Sequence, residues 1–91
     1  MLPIVWNAQA EEDLLSIIEF VGQYDTWAAE RLGEAIRVST WPLSEHPYLF
    51  RPGRVLGTRE IVAHPNYIIV YRVELEFIQI LRVLHSRQEY P

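Results

Sequence analysis

Residues 58–84 read TREIVAHPNYIIVYRVELEFIQILRVL, and their pattern decides the fold. The stretch contains three runs rich in β-branched and aromatic residues, the composition that favours β-strands. The runs span residues 61–63, 67–73 and 77–84. Residues 64–66 and 74–76 separate them at the lengths of hairpin loops. The stretch therefore predicts an antiparallel meander of three strands.

Upstream of the meander the apolar spacing changes to that of a helix. Asn7 can cap a helix that begins near Ala8, and carboxylates follow early, where they suit the positive end of a helix. Apolar residues recur every three or four positions and predict one buried stripe: Ala10, Leu14, Ile17, Ile18 and Val21. Gly22 and Asp25 weaken the pattern and end this helix.

A second helix is predicted directly after the first. Thr26 can cap it, and Pro42 stops it or marks its last turn. Its expected buried face consists of Ala29, Leu32, Ala35, Ile36 and Ser39. Two of its glutamates are spaced for ion pairs within the helix: Glu30 and Glu34 with Arg37 and Arg31. The short connection implies an antiparallel helix hairpin.

These elements together predict an α+β fold. The apolar face of the meander needs a cover and the helices need an apolar surface, so we expect the hairpin to pack on one face of the sheet. Ile4 to Trp6 adds a possible fourth strand to a mainly antiparallel sheet. Residues 43–57 contain Pro47, Pro52, Gly53 and Gly57, and this composition predicts an irregular connection.

Length and composition limit the class of protein. A chain of 91 residues is too short for two cores, so we expect one domain over residues 1–91. The absence of cysteine excludes a disulfide framework and favours a reducing cytoplasm. No apolar run reaches the length of a membrane span, and Met1 to Trp6 does not have the pattern of a secretory signal. We therefore expect a cytoplasmic protein without membrane association.

Charge is distributed unevenly along the chain. Residues 1–45 carry eight acids against two arginines, a net charge of −6, whereas residues 46–91 carry six arginines against four acids, a net charge of +2. All basic residues are arginine, which favours bidentate pairing with carboxylates. Because nucleic-acid binding usually requires a net basic field, the total of −4 favours a protein partner and no sequence-specific nucleic-acid binding by the chain alone.

The sequence predicts neither a metal site nor a cofactor. His46, His64 and His85 are too scattered for a helical metal motif, and no carboxylate accompanies them at ligand spacing. His64 belongs to a His-Pro-Asn string that is typical of a turn. The three tryptophans are interpreted as packing residues rather than a platform for stacking nucleic-acid bases.

Three strings within the chain resemble members of the RelE/ParE toxin superfamily. They are PLSEHPYLFRPGRV at residues 42–55, GTREIVAHPNYIIVYRV at residues 57–73 and ILRVLHSRQEYP at residues 80–91. The order strand, helix, helix, loop and three strands is also similar to that superfamily. The resemblance implies an α+β fold and a type II toxin-antitoxin system of the kind that stabilises plasmids.

The superfamily shares a fold but not an activity, so the residues must choose between its branches. Members that cut messenger RNA on the ribosome typically carry an arginine in the middle strand, where it stabilises phosphate charge. This chain has Ile68 at that position and has no lysine. The strand YIIVYRV and the end VLHSRQ instead resemble ParE-like toxins, which implies inhibition of DNA gyrase by binding and neutralisation by a ParD-like antitoxin.

Six residues are candidates for contact with the target or the antitoxin: Arg59, Arg72, Arg82, His85, Arg87 and Tyr90. Arg59 and Glu60 should point to opposite faces, and an ion pair at the sheet edge is the structural alternative. Arg82 interrupts an apolar strand, so it either pairs with a carboxylate or faces a ligand on the uncovered face, the role we favour. A structural role is the main interpretation of His85, and no catalytic residue is assigned.

Three functions remain open from the sequence. The favoured one is a gyrase-binding toxin without catalytic activity. The alternatives are a ribosome-dependent messenger-RNA interferase of the RelE type, with Arg82 or His85 acting in cleavage, and a non-toxic homologue that only binds an antitoxin.

Overall fold

The structure, a computed structural model, describes all residues from Met1 to Pro91. Along the chain the elements are β1 (Ile4–Trp6), α1 (Ala8–Gly22), α2 (Thr26–Val38), a short 3₁₀ turn (Trp41–Ser44), β2 (Arg51–Pro52), β3 (Arg59–His64), β4 (Tyr67–Val73) and β5 (Ile78–His85). The five strands form one sheet in the order β1-β5-β4-β3-β2. Neither helix has the length and hydropathy needed to cross a membrane.

The sheet confirms the predicted meander and extends it at both edges. β3, β4 and β5 pair antiparallel, and β1 adds the fourth strand, parallel to β5. The fifth strand, β2, lies in the stretch that was predicted to be irregular. Its two residues are too few to give an alternating pattern. Pro52 lies on the outer edge, where a residue without a backbone N–H is tolerated.

Helix α1 begins as the sequence predicts. The Asn7 side chain accepts a 2.8 Å hydrogen bond from the Ala10 amide and so satisfies one free N–H of the first turn. Ala10 and Leu14 are fully buried, and Ile17 and Ile18 pack against the same core. The predicted stripe therefore faces the sheet from Ala10 to Ile18, whereas Val21 is half-buried and lies outside this core.

Helix α2 differs from the prediction at its start. Asp25, not Thr26, is the N-cap, and its carboxylate accepts a 3.0 Å hydrogen bond from the Ala28 amide. The extended backbone of Asp25 directs its carboxylate at the first turn, where a negative charge also meets the positive end of the helix. Thr26 is instead the first helical residue.

Two further expectations for α2 are wrong. Ala35 is exposed, because the buried face of α2 is narrower than predicted and is formed by Ala29, Gly33 and Ile36. Arg37 forms no pair within its helix and binds Glu11 of α1, with its two terminal nitrogens 3.1 and 2.8 Å from the two carboxylate oxygens. A bidentate contact across the hairpin satisfies the planar guanidinium better than a neighbour along one helix.

The two helices approach closely at Gly33. A Cβ atom at this position would lie 2.7 Å from Cδ1 of Ile18, which is too near for any side chain without a shift of Ile18.

The helix pair covers one face of the sheet as predicted. The core between the helices and the sheet is formed by Ala10, Leu14, Ile36, Leu43, Ile61, Ile69, Tyr71, Ile78, Ile80 and Val83. Tyr71 reaches out of this core, and its hydroxyl donates a 2.8 Å hydrogen bond to the Pro47 carbonyl.

Candidate binding surface on the open face of the sheet

The face of the sheet opposite the helices, here called the open face, carries the side chains that alternate with the core positions. Glu60 lies opposite Val70 on β4, and Val70 in turn lies opposite Arg82 on β5. Arg72 follows two residues after Val70, on the same face. The open face therefore combines apolar strand centres with arginines.

A bulge in β5 places Arg82 on this face. Tyr71 pairs with Ile80, whereas the adjacent Val70 pairs with Arg82, so Leu81 is an additional residue in β5. Strict alternation would direct Arg82 to the same side as the core residue Ile80. The bulge reverses this orientation, as bulges do where a side chain must be redirected.

The C-terminal segment (residues 86–91) returns over the open face. Arg54 Nη1 donates a 3.2 Å hydrogen bond to the Gln88 carbonyl, and the Arg82 Cζ atom lies 5.9 Å from the centre of the Tyr90 ring. Three apolar residues of this face are at most 4% exposed although they lie outside the helix-side core: Ile68, Val70 and Leu84. The apolar centre of the open face is therefore covered, and its arginines surround it.

Arg82 has a carboxylate partner on helix α1. Its Nε atom lies 2.8 Å from Oδ2 of Asp13, and its Nη2 atom lies 3.3 Å from Oδ1. The same Oδ2 accepts a 2.9 Å hydrogen bond from the Val83 amide, beyond the end of β1. Hydrogen bonding to Asp13 raises the pKa of Arg82.

The two alternatives for Arg82 are both realised in part: it lies on the open face, the position that we favoured, and it also pairs with a carboxylate. The carboxylate comes from a helix 69 residues away along the chain rather than from across the sheet, and spacing within the strand does not reveal it. Contact of Arg82 with a target stays a prediction.

His85 and Arg87 form a turn at the end of β5. The His85 Nδ1 atom accepts a 3.1 Å hydrogen bond from the Arg87 amide, and the His85 amide donates to Oε1 of Gln88 at 3.3 Å. The imidazole also meets the Tyr67 ring edge-on at 5.7 Å. One ring nitrogen of His85 therefore accepts a backbone hydrogen bond, and contact of His85 or Arg87 with a target stays a prediction.

Arg59 and Glu60 point to opposite faces, as alternation predicts, and of the two only Glu60 forms the ion pair at the sheet edge that was the structural alternative. Arg59 donates to the carbonyls of Phe50 at 2.6 Å and Tyr48 at 3.4 Å, and it stacks on the Tyr48 ring at 5.0 Å. Glu60 forms the ion pair at the sheet edge, 3.1 Å from Arg51 Nη2, and its second oxygen accepts from the Arg54 amide at 3.0 Å.

A model of the family described as ParE toxin of type II toxin-antitoxin system, parDE, matches residues 4–90. The chain belongs to the ParE toxin family. It is therefore a toxin of a type II toxin-antitoxin system.

Individual relatives agree with this family. The ParE-family chain is 37% identical to Y4kP of Sinorhizobium fredii over 97% of its length and 92% of the relative. It is 32% identical to the toxin RelE2 of Caulobacter vibrioides over 94% of its length and 97% of the relative. A solved structure of the chromosomal ParDE system from P. aeruginosa superposes with a TM-score of 0.85 at 25% identity, covering 93% of this chain and 96% of the other.

The fold itself is shared more widely than the ParE family. The YoeB dimer from Staphylococcus aureus superposes with a TM-score of 0.64 at 18% identity, covering 98% of both chains. The two helices packed on a mainly antiparallel sheet thus confirm the predicted α+β class.

Two of the candidate arginines of this ParE-family toxin form neither an ion pair nor a side-chain hydrogen bond within the chain. Arg72 is half-buried on the open face, and Arg87 is exposed in the C-terminal segment. Because neither guanidinium is neutralised within the chain, both are available to a carboxylate or phosphate of another molecule. The structure places Arg72, Arg82 and Tyr90 on one face, whereas Arg59 points to the other.

Three residues of this surface in the ParE-family chain were not recognised from the sequence: Asp13, Arg51 and Arg54. Asp13 lies beside the apolar stripe of α1, which is a signal that its carboxylate faces the protein rather than water. Arg51 and Arg54 lie in the string that resembles the superfamily, but no periodicity connects them to Glu60.

Proposed function

We propose that this ParE-family toxin inhibits DNA gyrase by binding to it in the cytoplasm, without catalysing a reaction. The observation that carries the proposal is the chemistry of the open face at Ile68. This side chain is 4% exposed and lies opposite Leu84, so the middle strand presents a buried hydrocarbon where phosphate transfer would need a charged donor.

The surrounding groups also favour binding over catalysis. Arg82 is held by Asp13 in a bidentate contact, and the Nδ1 atom of His85 accepts a backbone hydrogen bond. A general acid–base pair would need two titratable groups at hydrogen-bonding distance from a reacting atom, and no such pair lies on the open face. The unpaired Arg72 and Arg87 instead fit a contact surface for an anionic partner.

We further propose that a ParD-like antitoxin neutralises the toxin by covering an apolar groove between α2 and β3. The groove has a volume of about 350 Å³ and is lined by Val21, Ala28, Arg31, Leu32, Ala35 and His64. An amphipathic helix can place apolar side chains against Leu32 and Ala35 and a carboxylate beside Arg31. The related P. aeruginosa structure contains a ParDE system, which supports this class of partner.

The decisive experiment compares two targets of the purified toxin. Supercoiling of relaxed plasmid by gyrase is measured beside a cell-free translation reaction, each with increasing toxin. We expect inhibited supercoiling and intact translation. Blocked translation with cut messenger RNA would establish the interferase alternative, and no effect on either reaction would establish the non-toxic alternative.

Arg72→Ala and Arg87→Ala test the contact surface without affecting the fold. Neither side chain has a partner within the chain, so each variant should retain the free energy of unfolding within about 0.5 kcal/mol. We expect the concentration for half-inhibition of gyrase to rise at least severalfold in the double variant. Arg31→Ala is a control, because Arg31 also forms no ion pair but lies in the groove beside α2, away from the open face. Inhibition unchanged in the double variant would remove both arginines from the surface.

The antitoxin groove is tested separately by Ala35→Glu. This exposed position tolerates a longer side chain in the free toxin, but a glutamate would place an unpaired charge under an apolar helix face. We expect loss of co-purification with a ParD-like antitoxin. Ser16→Glu, an exposed position on the other helix, is the matched control.

A further inference from the structure

The end of the helix hairpin exposes three aromatic rings. Phe20, Tyr24 and Trp27 are 60%, 77% and 67% exposed, and they lie within eight residues of chain where α1 ends and α2 begins. Phe20 and Tyr24 touch edge to face with ring centres 5.7 Å apart. None of the three belongs to the core or packs against it. We call residues 19–30 the hairpin tip.

The hairpin also carries the excess negative charge of the protein. Residues 8–38 contain seven acids and two arginines, a net charge of −5, so the rest of the chain has a net charge of +1. Glu11 and Asp13 are neutralised by arginines, whereas the other five form no ion pair: Glu12, Glu19, Asp25, Glu30 and Glu34. Three of these five lie in the hairpin tip beside the exposed rings.

We propose that the hairpin tip docks a basic segment of a protein partner. Arginine or lysine side chains of that segment bind over the faces of Phe20, Tyr24 and Trp27, while the neighbouring carboxylates pair with their charge. A cation over an aromatic face is attracted by the ring, and each such contact is strengthened when a carboxylate holds the same cation. The tip supplies both kinds of group within one surface.

The charge disfavours the other occupants of an aromatic patch. A second copy of this chain packed tip to tip would bring Glu19, Asp25 and Glu30 against the same three carboxylates, and a nucleic acid would bring phosphates against them. A wholly apolar partner would bury the carboxylates without a counter-charge. The tip is separate from Arg72 and Arg87, so this inference does not depend on gyrase as the target.

The test measures binding of labelled helical peptides to the full chain by fluorescence anisotropy. The probe carries leucine and arginine on one face, and a comparison peptide carries glutamate in place of every arginine. We expect only the arginine peptide to bind, with an affinity that falls as salt rises. Replacing all three rings by alanine should raise the dissociation constant by about tenfold or more, since each lost ring removes one cation contact.

Matched variants distinguish binding at the hairpin tip from nonspecific hydrophobic or electrostatic binding elsewhere on the chain. Replacing the comparably exposed Trp41 and Leu75 by alanine should leave the affinity unchanged. Glu19→Gln with Glu30→Gln should weaken binding, whereas Glu74→Gln with Glu76→Gln should not. Far-UV circular dichroism establishes that each variant is folded. Equal binding by the ring-free variant, equal binding of the glutamate peptide, or a tip-dependent dimer in analytical ultracentrifugation would each overturn the proposal.

Discussion

Removal of Asp13 should destabilise the protein far more than removal of Glu11, although both are carboxylates of α1 that bind an arginine. Asp13 is 11% exposed and its partner Arg82 is 29% exposed, whereas Glu11 and Arg37 are 40% and 45% exposed. Asp13 also accepts the Val83 amide at the edge of β5. The two pairs therefore share their chemistry and differ in burial and in the backbone contact.

The magnitude follows from the bonds that each substitution removes. Asp13→Ala leaves the Val83 N–H without a partner, which costs about 1–3 kcal/mol, and removes charged hydrogen bonds that water only partly replaces at Arg82. We expect a total loss of about 2–3 kcal/mol. Glu11→Ala breaks an exposed pair, for which about 0.2–1 kcal/mol is typical.

Urea unfolding followed by tryptophan fluorescence measures both losses. The midpoint should fall for Asp13→Ala at an unchanged slope, because the fold and the surface exposed on unfolding stay the same. A double-mutant cycle with Arg82→Ala should give a coupling of about 1–2 kcal/mol, and the cycle of Glu11 with Arg37 less than about 0.5 kcal/mol. Equal losses for the two carboxylates would refute the argument that burial decides their contributions.

Four further substitutions check local features of the fold by the same unfolding assay. Asp25→Ala should lose about 1 kcal/mol and Thr26→Ala much less, because only Asp25 caps α2; the reverse order would contradict the observed cap. Tyr71→Phe removes a 2.8 Å hydrogen bond to a loop carbonyl and should cost about 1 kcal/mol, so a variant as stable as the parent would show that the bond contributes nothing. Hydrogen bonding by its arginine partner lowers the pKa of Glu11 below its ordinary value of 4.5, so this pair stabilises fully above about pH 5 and is lost as the pH falls through the lowered pKa. Glu11→Gln should therefore show a smaller loss of stability in acid than the parent, and parallel pH profiles would exclude this contribution.

Local sequence patterns predicted most of the elements, because their causes act over a few residues. The alternation after residue 58 predicted the meander, and the spacing from Ala10 to Ile18 predicted the buried face of α1. Asn7 was recognised as a cap since capping joins a side chain to an amide only three residues away. Asp25 was missed because two adjacent residues both suit a cap, and the backbone conformation chooses between them.

The candidate surface could be predicted only in part. Arg72, Arg82 and Tyr90 were identified from the sequence, and they share the open face. The bulge at Leu81 and the return of the C-terminal segment could not be predicted, since one depends on the register between two strands and the other on packing across the sheet.

By itself the sequence determined the class of fold, the family resemblance and the uneven distribution of charge, since composition and short-range periodicity are properties of the chain alone. The partners of its arginines were decided by tertiary structure. Arg82 meets Asp13 from 69 residues away, and Arg37 meets Glu11 from 26 residues away. Ion pairs form between groups that the packing of helices and strands brings within about 4 Å, and no spacing along one strand or helix records that distance.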